Sequence, residues 1–125
     1  MISAPKGVLR LAALKMLSES SMSGTDLSEE ISRFSGGKWK PGPGSIYFIL
    51  GELLKKGLIT ELPKREGNVR RYIISGKGKE ELARLARQTE PDVARQLQLL
   101  AVYSALAGRS ELKKKVLALA ETLGL

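Results

Sequence analysis

The sequence predicts a mainly α-helical protein that carries one small β-hairpin. Apolar residues recur at helical intervals in six separate segments. Strand-like alternation of apolar and polar residues is confined to residues 58–62 and 69–75, and the turn residues of "PKREGN" lie between them. The chain of 125 residues is long enough to form a real hydrophobic core without disulfides or metals.

The first two helices are predicted on either side of the loop "ESSM". The first covers residues 5–18, with Pro5 in its first turn. Its apolar positions recur at helical spacing: Val8, Leu11, Ala12, Leu14 and Leu17. Ser23 is placed to cap the second helix, with Asp26 three residues later partly replacing the Glu of a capping box. Leu27 and Ile31 share a face of this helix, which is expected to end near Phe34, before the two glycines of "SGGK".

The third helix follows a proline- and glycine-rich stretch, "KWKPGPGS". Pro41 and Pro43 disfavour the helical conformation in the residues before them, so the helix is predicted over residues 45–56. Gly57 is suited to end it in a left-handed conformation. The spacing i, i+3, i+4 and i+7 predicts one buried face, formed by Ile46, Ile49, Leu50 and Leu53.

Three further helices are predicted after the hairpin. Ser75 is placed to cap a helix over residues 76–88, and Thr89 to cap a helix over 90–107 that ends at Gly108. Ser110 is placed to cap the last helix, which carries an apolar stripe. The stripe consists of Leu112, Val116, Leu119, Ala120 and Leu123.

Composition argues for a binding protein and against an enzyme. The chain has no cysteine and no histidine, so it lacks the commonest general base, the thiolate nucleophile and the commonest metal ligands. We expect no catalytic residues, no cofactor and no metal. The net charge is +8, and residues 38–76 hold eight basic and three acidic residues, a net +5, against four and four in residues 1–37. A basic middle third is typical of proteins that bind nucleic acid.

The beginning of the sequence does not predict a membrane or export segment. Lys6, Arg10 and Lys15 interrupt its apolar residues, which excludes a signal peptide or a membrane span there. We therefore expect a cytoplasmic protein without a membrane partner.

The order of these elements is that of a winged helix-turn-helix, in which three helices precede a hairpin called the wing. "GSIYFILGELLKKGLI", the basic "RRYIIS" and "GKGKEEL" resemble the PadR family of transcriptional regulators. The resemblance implies a DNA-binding domain over residues 1–76 and a helical dimerisation segment over 77–125. It also implies a homodimeric, sequence-specific repressor of transcription that binds double-stranded DNA; some family members respond to small molecules, so an effector of unknown identity is a further expectation.

Candidate DNA-binding residues lie on the third helix, the wing and the loop before the helix. Tyr47 and Ser45 suit contacts with phosphates or base edges, and guanidinium groups suit phosphates or a narrow minor groove. The alternative for Tyr47 and Phe48 is that both rings pack in the core. The candidates are Lys38, Lys40, Ser45, Tyr47, Phe48, Lys55, Lys64, Arg65, Asn68, Arg70 and Arg71.

The third helix departs from the family pattern at three positions. Phe48 stands where proline is common, and Gly51 and Glu52 stand where the family often has lysine and arginine. Glu52 could accept a hydrogen bond from cytosine, pair with Lys55 or Lys56, or face away from DNA. These departures leave open a second function, a winged-helix module for protein assembly that does not read bases.

The last two helices are more apolar than a small chain can cover by itself, as "LQLLAVYSALA" illustrates. A second copy of the chain would cover them, and the alternative is that they pack on their own winged part. The predicted dimer residues are Leu97, Leu100, Val102, Tyr103, Leu106, Leu112, Val116, Leu119 and Leu123.

Overall fold

The computed structural model describes residues 6–63 and 67–125, and it confirms a mainly helical fold with a two-stranded antiparallel hairpin. Its elements follow in order as α1 (Lys6–Glu19), α2 (Gly24–Phe34), α3 (Pro43–Lys55), β1 (Ile59–Glu61), β2 (Tyr72–Ile74), α4 (Gly76–Arg87), α5 (Thr89–Leu106) and α6 (Ser110–Thr122). The chain forms two compact units, of which the first ends at Arg84 and the second is Leu85–Leu125. The first unit therefore contains α1, α2, α3, the hairpin and the first turns of α4, which together form the winged part of the protein.

The core of the first unit lies between α1, α2, α3 and the hairpin. The predicted buried faces of α2 and α3 are confirmed. The predicted face of α1 is partly wrong, because Val8 is exposed while Leu9 and Ala13 are buried. α1 contacts α2, α3 and β2, so more than one of its sides is covered and apolar spacing alone could not select the face. The largest fully buried side chains are Leu14, Leu17, Leu27, Ile31, Ile46, Ile49, Leu53 and Ile59.

The capping box of α2 is confirmed. Ser23 Oγ accepts a hydrogen bond from the Asp26 N–H at 3.1 Å, and the Asp26 carboxylate accepts one from the Ser23 N–H at 3.3 Å. These contacts satisfy two backbone donors at the start of the helix, which fixes the direction in which the chain enters it.

Three predicted helix starts are corrected. α3 begins at Pro43, two residues earlier than predicted, with Gly42 as N-cap; proline suits the first helical position because its missing N–H loses no hydrogen bond there. Thr89 and Ser110 do not cap α5 and α6 but are their first residues. The residues at the two N-cap positions, Gln88 and Arg109, lack the extended backbone of a side-chain cap.

The hairpin strands are shorter than predicted, and they pair in the register Ile59 with Ile74 and Glu61 with Tyr72. A backbone pairing that the sequence did not predict links the hairpin to the loop between α1 and α2. The Met22 N–H donates to the Tyr72 carbonyl at 3.0 Å, and the Tyr72 N–H donates to the Met22 carbonyl at 2.8 Å. The hairpin is therefore tied by hydrogen bonds to the start of the helix-turn-helix.

The start of α4 packs closely against the residues that lead into β1. The predicted cap is confirmed, since Ser75 Oγ accepts from the Gly78 N–H at 3.0 Å and also donates to the Gly57 carbonyl at 2.6 Å. A Cβ atom at Gly78 would lie 1.9 Å from the Leu58 carbonyl oxygen. Only glycine fits at this position, because real Cβ atoms do not approach other atoms within 3.0 Å.

The second unit consists of α5 packed on α6. Ala101 and Ser104 are its buried residues on α5, and α6 has no fully buried side chain. Gly108 ends α5 with a φ of +73°, as predicted. In the ranges 6–63 and 67–125, no helix has both the length and the hydropathy needed to cross a membrane.

Candidate nucleic-acid interface

The outer face of α3 carries two exposed aromatic rings. Its buried side is fixed by the apolar face described above, and the helical repeat places Phe48, Gly51 and Lys55 on the opposite side. Tyr47 is 69% exposed and Phe48 is 59% exposed. Core packing of these two rings, the alternative considered from the sequence, is therefore wrong.

The N-terminus of α3 is open to an anionic ligand. Gly42 provides no side-chain hydrogen bond to the first turn, Pro43 has no N–H, and the first backbone bond runs from the Ile46 N–H to the Gly42 carbonyl at 3.0 Å. Gly44 and Ser45 are exposed in this turn. Helix N-termini of this kind bind phosphate groups, because the N–H groups and the helix dipole both favour negative charge.

Tyr47 lies between two surface grooves. One groove, of about 570 Å³, runs between Tyr47, the start of α2 and the wing residues 68–72. The other, of about 330 Å³, runs between Tyr47, α2 and the loop residues 40–43. Arg70 lines the first groove and Lys40 lines the second, so a basic side chain stands on each side of the tyrosine.

The remaining basic candidates differ in their surroundings. Lys38, Lys55 and Asn68 are exposed. The Arg70 side chain is more than half exposed, and its Nε lies 3.5 Å from Glu61 Oε1. Lys64 and Arg65, which were also predicted to bind DNA, lie outside the described residues.

Arg71 differs from Arg70 because it is less exposed and its guanidinium group makes two hydrogen bonds outside the hairpin. Its Nη1 donates to Asp26 Oδ2 at 3.1 Å, and its Nη2 donates to the Ser21 carbonyl at 2.7 Å. The same Asp26 oxygen belongs to the capping box of α2. Arg71 therefore joins the wing to the start of α2, a contact that the sequence did not predict because basic residues in a strand do not reveal their partners.

The Glu52 side chain does not point outward on the outer face of α3. Its carboxylate pairs with Lys56 Nζ at 3.0 Å and with the Arg10 guanidinium group of α1, and its side chain is only 15% exposed. Pairing on its own helix, one of the alternatives considered from the sequence, is confirmed. The acidic group is thereby withdrawn towards α1 and partly neutralised.

The predicted dimer residues lie on the second unit, and most of them are exposed. Tyr103 is 72% and Leu106 is 84% exposed, whereas Leu97 and Val116 are half-buried. Leu99 is also largely exposed, although it was not among the predicted residues. A groove of about 420 Å³ between α5 and α6 is lined mainly by apolar side chains, among them Val102, Leu106 and Leu117.

The sequence of the winged part shows which protein family this chain belongs to. Residues 13–84, more than half of the 125-residue chain, match the model of the transcriptional regulator PadR-like family. The chain belongs to this family. PadR-like proteins are DNA-binding transcriptional regulators and not enzymes, which agrees with the composition.

Solved structures of transcriptional regulators share this fold. A PadR-like transcriptional regulator from Bacillus cereus is 28% identical, with a TM-score of 0.59 over 76% of this chain and 92% of its own. A transcriptional regulator from Clostridium thermocellum is 20% identical, with a TM-score of 0.68 over 74% and 91%. A PadR-like transcription factor from Bacteroides fragilis is 18% identical, with a TM-score of 0.58 over 76% and 91%. No curated protein sequence matches the chain.

Proposed function

We propose that this PadR-like protein is a cytoplasmic, homodimeric repressor that binds double-stranded DNA at specific sequences. In this proposal α3 enters the major groove, and the wing contacts the flanking backbone or minor groove. The observation that carries the proposal is the exposed Tyr47 on α3, which stands between a groove lined by Arg70 and a groove lined by Lys40.

The dimensions of α3 suit the major groove. Its 13 residues span about 20 Å, and the groove is about 12 Å wide, enough to admit one helix. Phosphates border the groove on both sides. Lys38 and Lys40 before the helix and Arg70 on the wing would contact these phosphates, while Ser45 and the open first turn would bind another.

The exposed apolar side chains of α5 and α6 support a dimer. A monomer would leave Leu99, Tyr103 and Leu106 in water on one side of α5, which disfavours the isolated chain. In a two-fold symmetric dimer, two copies of α3 would read half-sites about 34 Å apart, one turn of DNA.

The proposal can be tested by titrating fluorescent duplexes with the protein and following the anisotropy over a series of salt concentrations. We expect a preferred sequence, and a logarithm of affinity that falls linearly with the logarithm of salt, with a slope of about −0.9 per contacted phosphate. Affinity that depends on neither salt nor sequence would exclude the proposal. Binding no tighter than about 10⁻⁴ to 10⁻⁶ M, together with a salt-resistant complex with another protein, would favour the assembly module.

Neighbouring arginines on the wing provide a matched pair of variants. Arg70→Ala should weaken binding to all duplexes alike and reduce the salt slope by about 1, with unchanged stability, because Arg70 is exposed and is proposed to contact a phosphate.

Arg71→Ala should lower the free energy of unfolding by about 1–3 kcal/mol, because it removes charged hydrogen bonds to Asp26 and Ser21. Urea denaturation measures stability and anisotropy measures binding. Equal effects of both changes on stability would contradict the distinction.

A further inference from the structure

The Arg71 side chain connects the wing to the start of the helix-turn-helix. Its guanidinium group donates to Asp26 Oδ2 at 3.1 Å and to the Ser21 carbonyl at 2.7 Å, and these residues lie 45 and 50 positions away in the sequence. A guanidinium group presents its donors in a fixed planar fork, so two bonds define its orientation as well as its position. The two contacts therefore fix where Arg71 lies relative to α2.

The backbone around Arg71 is held at the same place. The next residue, Tyr72, exchanges two hydrogen bonds with Met22, at 3.0 and 2.8 Å. The Arg71 carbonyl accepts from the Leu62 N–H at 2.9 Å, next to the last pair of the ladder between β1 and β2. Arg71 is thus bound through its side chain to the region of α2 and through its backbone to the hairpin.

Arg70 directly precedes this anchored residue. Its side chain is 58% exposed, against 32% for Arg71, and it lines the groove of about 570 Å³ that Tyr47 also lines. Consecutive Cα atoms are only about 3.8 Å apart, so a shift of Arg71 would carry Arg70 with it. The position of Arg70 relative to Tyr47 of α3 therefore depends on the contacts of Arg71 with α2.

A wing and a recognition helix must match the spacing of groups on DNA. Phosphates lie at fixed places beside the major groove, and contacts with them set the register of a protein on the duplex. Charged hydrogen bonds are short, about 2.7–2.9 Å between heavy atoms, and they weaken when the donor is displaced or turned. A wing that is already fixed in the binding geometry also avoids the entropy cost of being ordered on association.

We propose that Arg71 is a positioning residue of the DNA interface. By binding Asp26 and Ser21 it holds the wing where Arg70 meets a phosphate while α3 lies in the major groove. This inference rests on the proposed function and on its phosphate contact by Arg70. It gives Arg71, which the sequence placed among the DNA-binding candidates, a role in which its guanidinium group stays bound within the protein.

The test is a double-mutant cycle of Arg70→Ala and Arg71→Ala, with a duplex that carries the preferred sequence. Affinity is measured by anisotropy over a series of salt concentrations, on samples that circular dichroism shows to be folded. Arg70→Ala should weaken binding by up to about five-fold, the size of an exposed ion pair, and reduce the salt slope by about 1. Arg71→Ala should have the same two effects, because it displaces Arg70. The double variant should bind no more weakly than either single variant.

Two results of this cycle would overturn the inference. If Arg71 contacted a phosphate of its own, the two losses would multiply and the salt slope of the double variant would fall by about 2. If Arg71 served stability alone, folded Arg71→Ala would bind as the wild type does. A dependence of the Arg70 effect on Arg71 is thus a readout that neither of these roles produces.

Asp26→Asn tests the same link without changing either arginine. Asparagine keeps an oxygen that can accept the Ser23 N–H bond of the capping box, but it removes the charge that Arg71 binds. Loss of a carboxylate beside DNA would by itself strengthen binding to phosphates. The inference predicts weaker binding, and a smaller effect of Arg70→Ala in this background. Binding as tight as that of the wild type, or tighter, would overturn it.

Arg33→Ala is the matched control for the loss of a guanidinium group and its ion pair. Arg33 lies in the last turn of α2, about 10 Å along the helix from Asp26, and pairs with Glu30 on the same helix. Arg70→Ala should weaken binding by the same factor in this background as in the wild type. An Arg70 effect that also vanished here would show that the coupling is not specific to Arg71.

The outcomes distinguish this inference from the proposed function. Wild-type binding that depends on neither salt nor sequence would exclude the proposed function. If the wild type binds its preferred sequence and Arg70→Ala binds equally well, or the losses from Arg70 and Arg71 multiply, only the positioning role of Arg71 is overturned.

Discussion

Gly78→Ala is expected to lower the free energy of unfolding of the winged part by about 3 kcal/mol, at the upper end of the range for overpacked sites. The added Cβ would lie 1.9 Å from the Leu58 carbonyl oxygen and 2.6 Å from Ile74 Cγ1. The first of these atoms belongs to the backbone, so rotation of a side chain cannot relieve the clash. α4 would have to move away from the hairpin, which should also weaken DNA binding. Urea denaturation followed by circular dichroism measures the change in stability.

Gly76→Ala is the matched control in the same turn of α4. A Cβ at Gly76 meets no atom within 4 Å, and the residue is exposed. Alanine there should leave stability unchanged or raise it by up to about 1 kcal/mol, because it restricts the unfolded chain. If both variants were as stable as the wild type, the close packing of α4 on Leu58 would be refuted.

Replacing the exposed apolar residues of α5 by charges should convert the proposed dimer to a monomer. The double variant Tyr103→Glu, Leu106→Glu places two carboxylates on the face that a second copy would cover, where they would be desolvated and would repel each other. We expect the mass in solution to fall from two copies of 13.6 kDa to one. DNA affinity should fall by about 100-fold or more, because the second half-site then binds as a separate molecule. Light scattering after size exclusion measures the mass, and anisotropy measures the affinity.

The matched control is Tyr103→Phe, Leu106→Met, which keeps both side chains apolar and similar in size. This variant should remain dimeric and bind DNA as the wild type does. A charged variant that stays dimeric would show that the subunits meet elsewhere. A wild-type protein that is monomeric at micromolar concentration would contradict the proposed dimer.

Much of the fold could be predicted from local sequence signals. The capping box of Ser23 and Asp26 depends on residues three positions apart, and the buried face of α3 depends on spacing within one helix. Contacts between distant segments could not be predicted. The pairing of Met22 with Tyr72 and the approach of Gly78 to Leu58 arise only when the chain is folded. The caps predicted at Thr89 and Ser110 were wrong because a residue caps a helix only where its own backbone is extended, and both residues are already helical.

The sequence predicted which elements carry the candidate site, but it did not predict which of the charged side chains pair within the protein. The sequence placed Tyr47, Phe48 and the basic residues on the third helix and the wing. It could not show that Arg71 is bound to Asp26 or that Glu52 is bound to Arg10, because the partners lie on other elements. Charge content therefore indicated the class of ligand, while burial and geometry distinguish the side chains that are exposed from those that join elements.

Hydroxyl-radical footprinting of a duplex that carries the preferred sequence is the most direct test of the proposal that a dimer of this chain reads DNA with two copies of α3. The proposal predicts two protected segments on each strand, related by two-fold symmetry and centred about 10 base pairs apart, with protection lost at high salt. Protection of a single segment would contradict the dimeric arrangement. Absence of protection at protein concentrations that saturate the anisotropy signal would contradict binding in the groove.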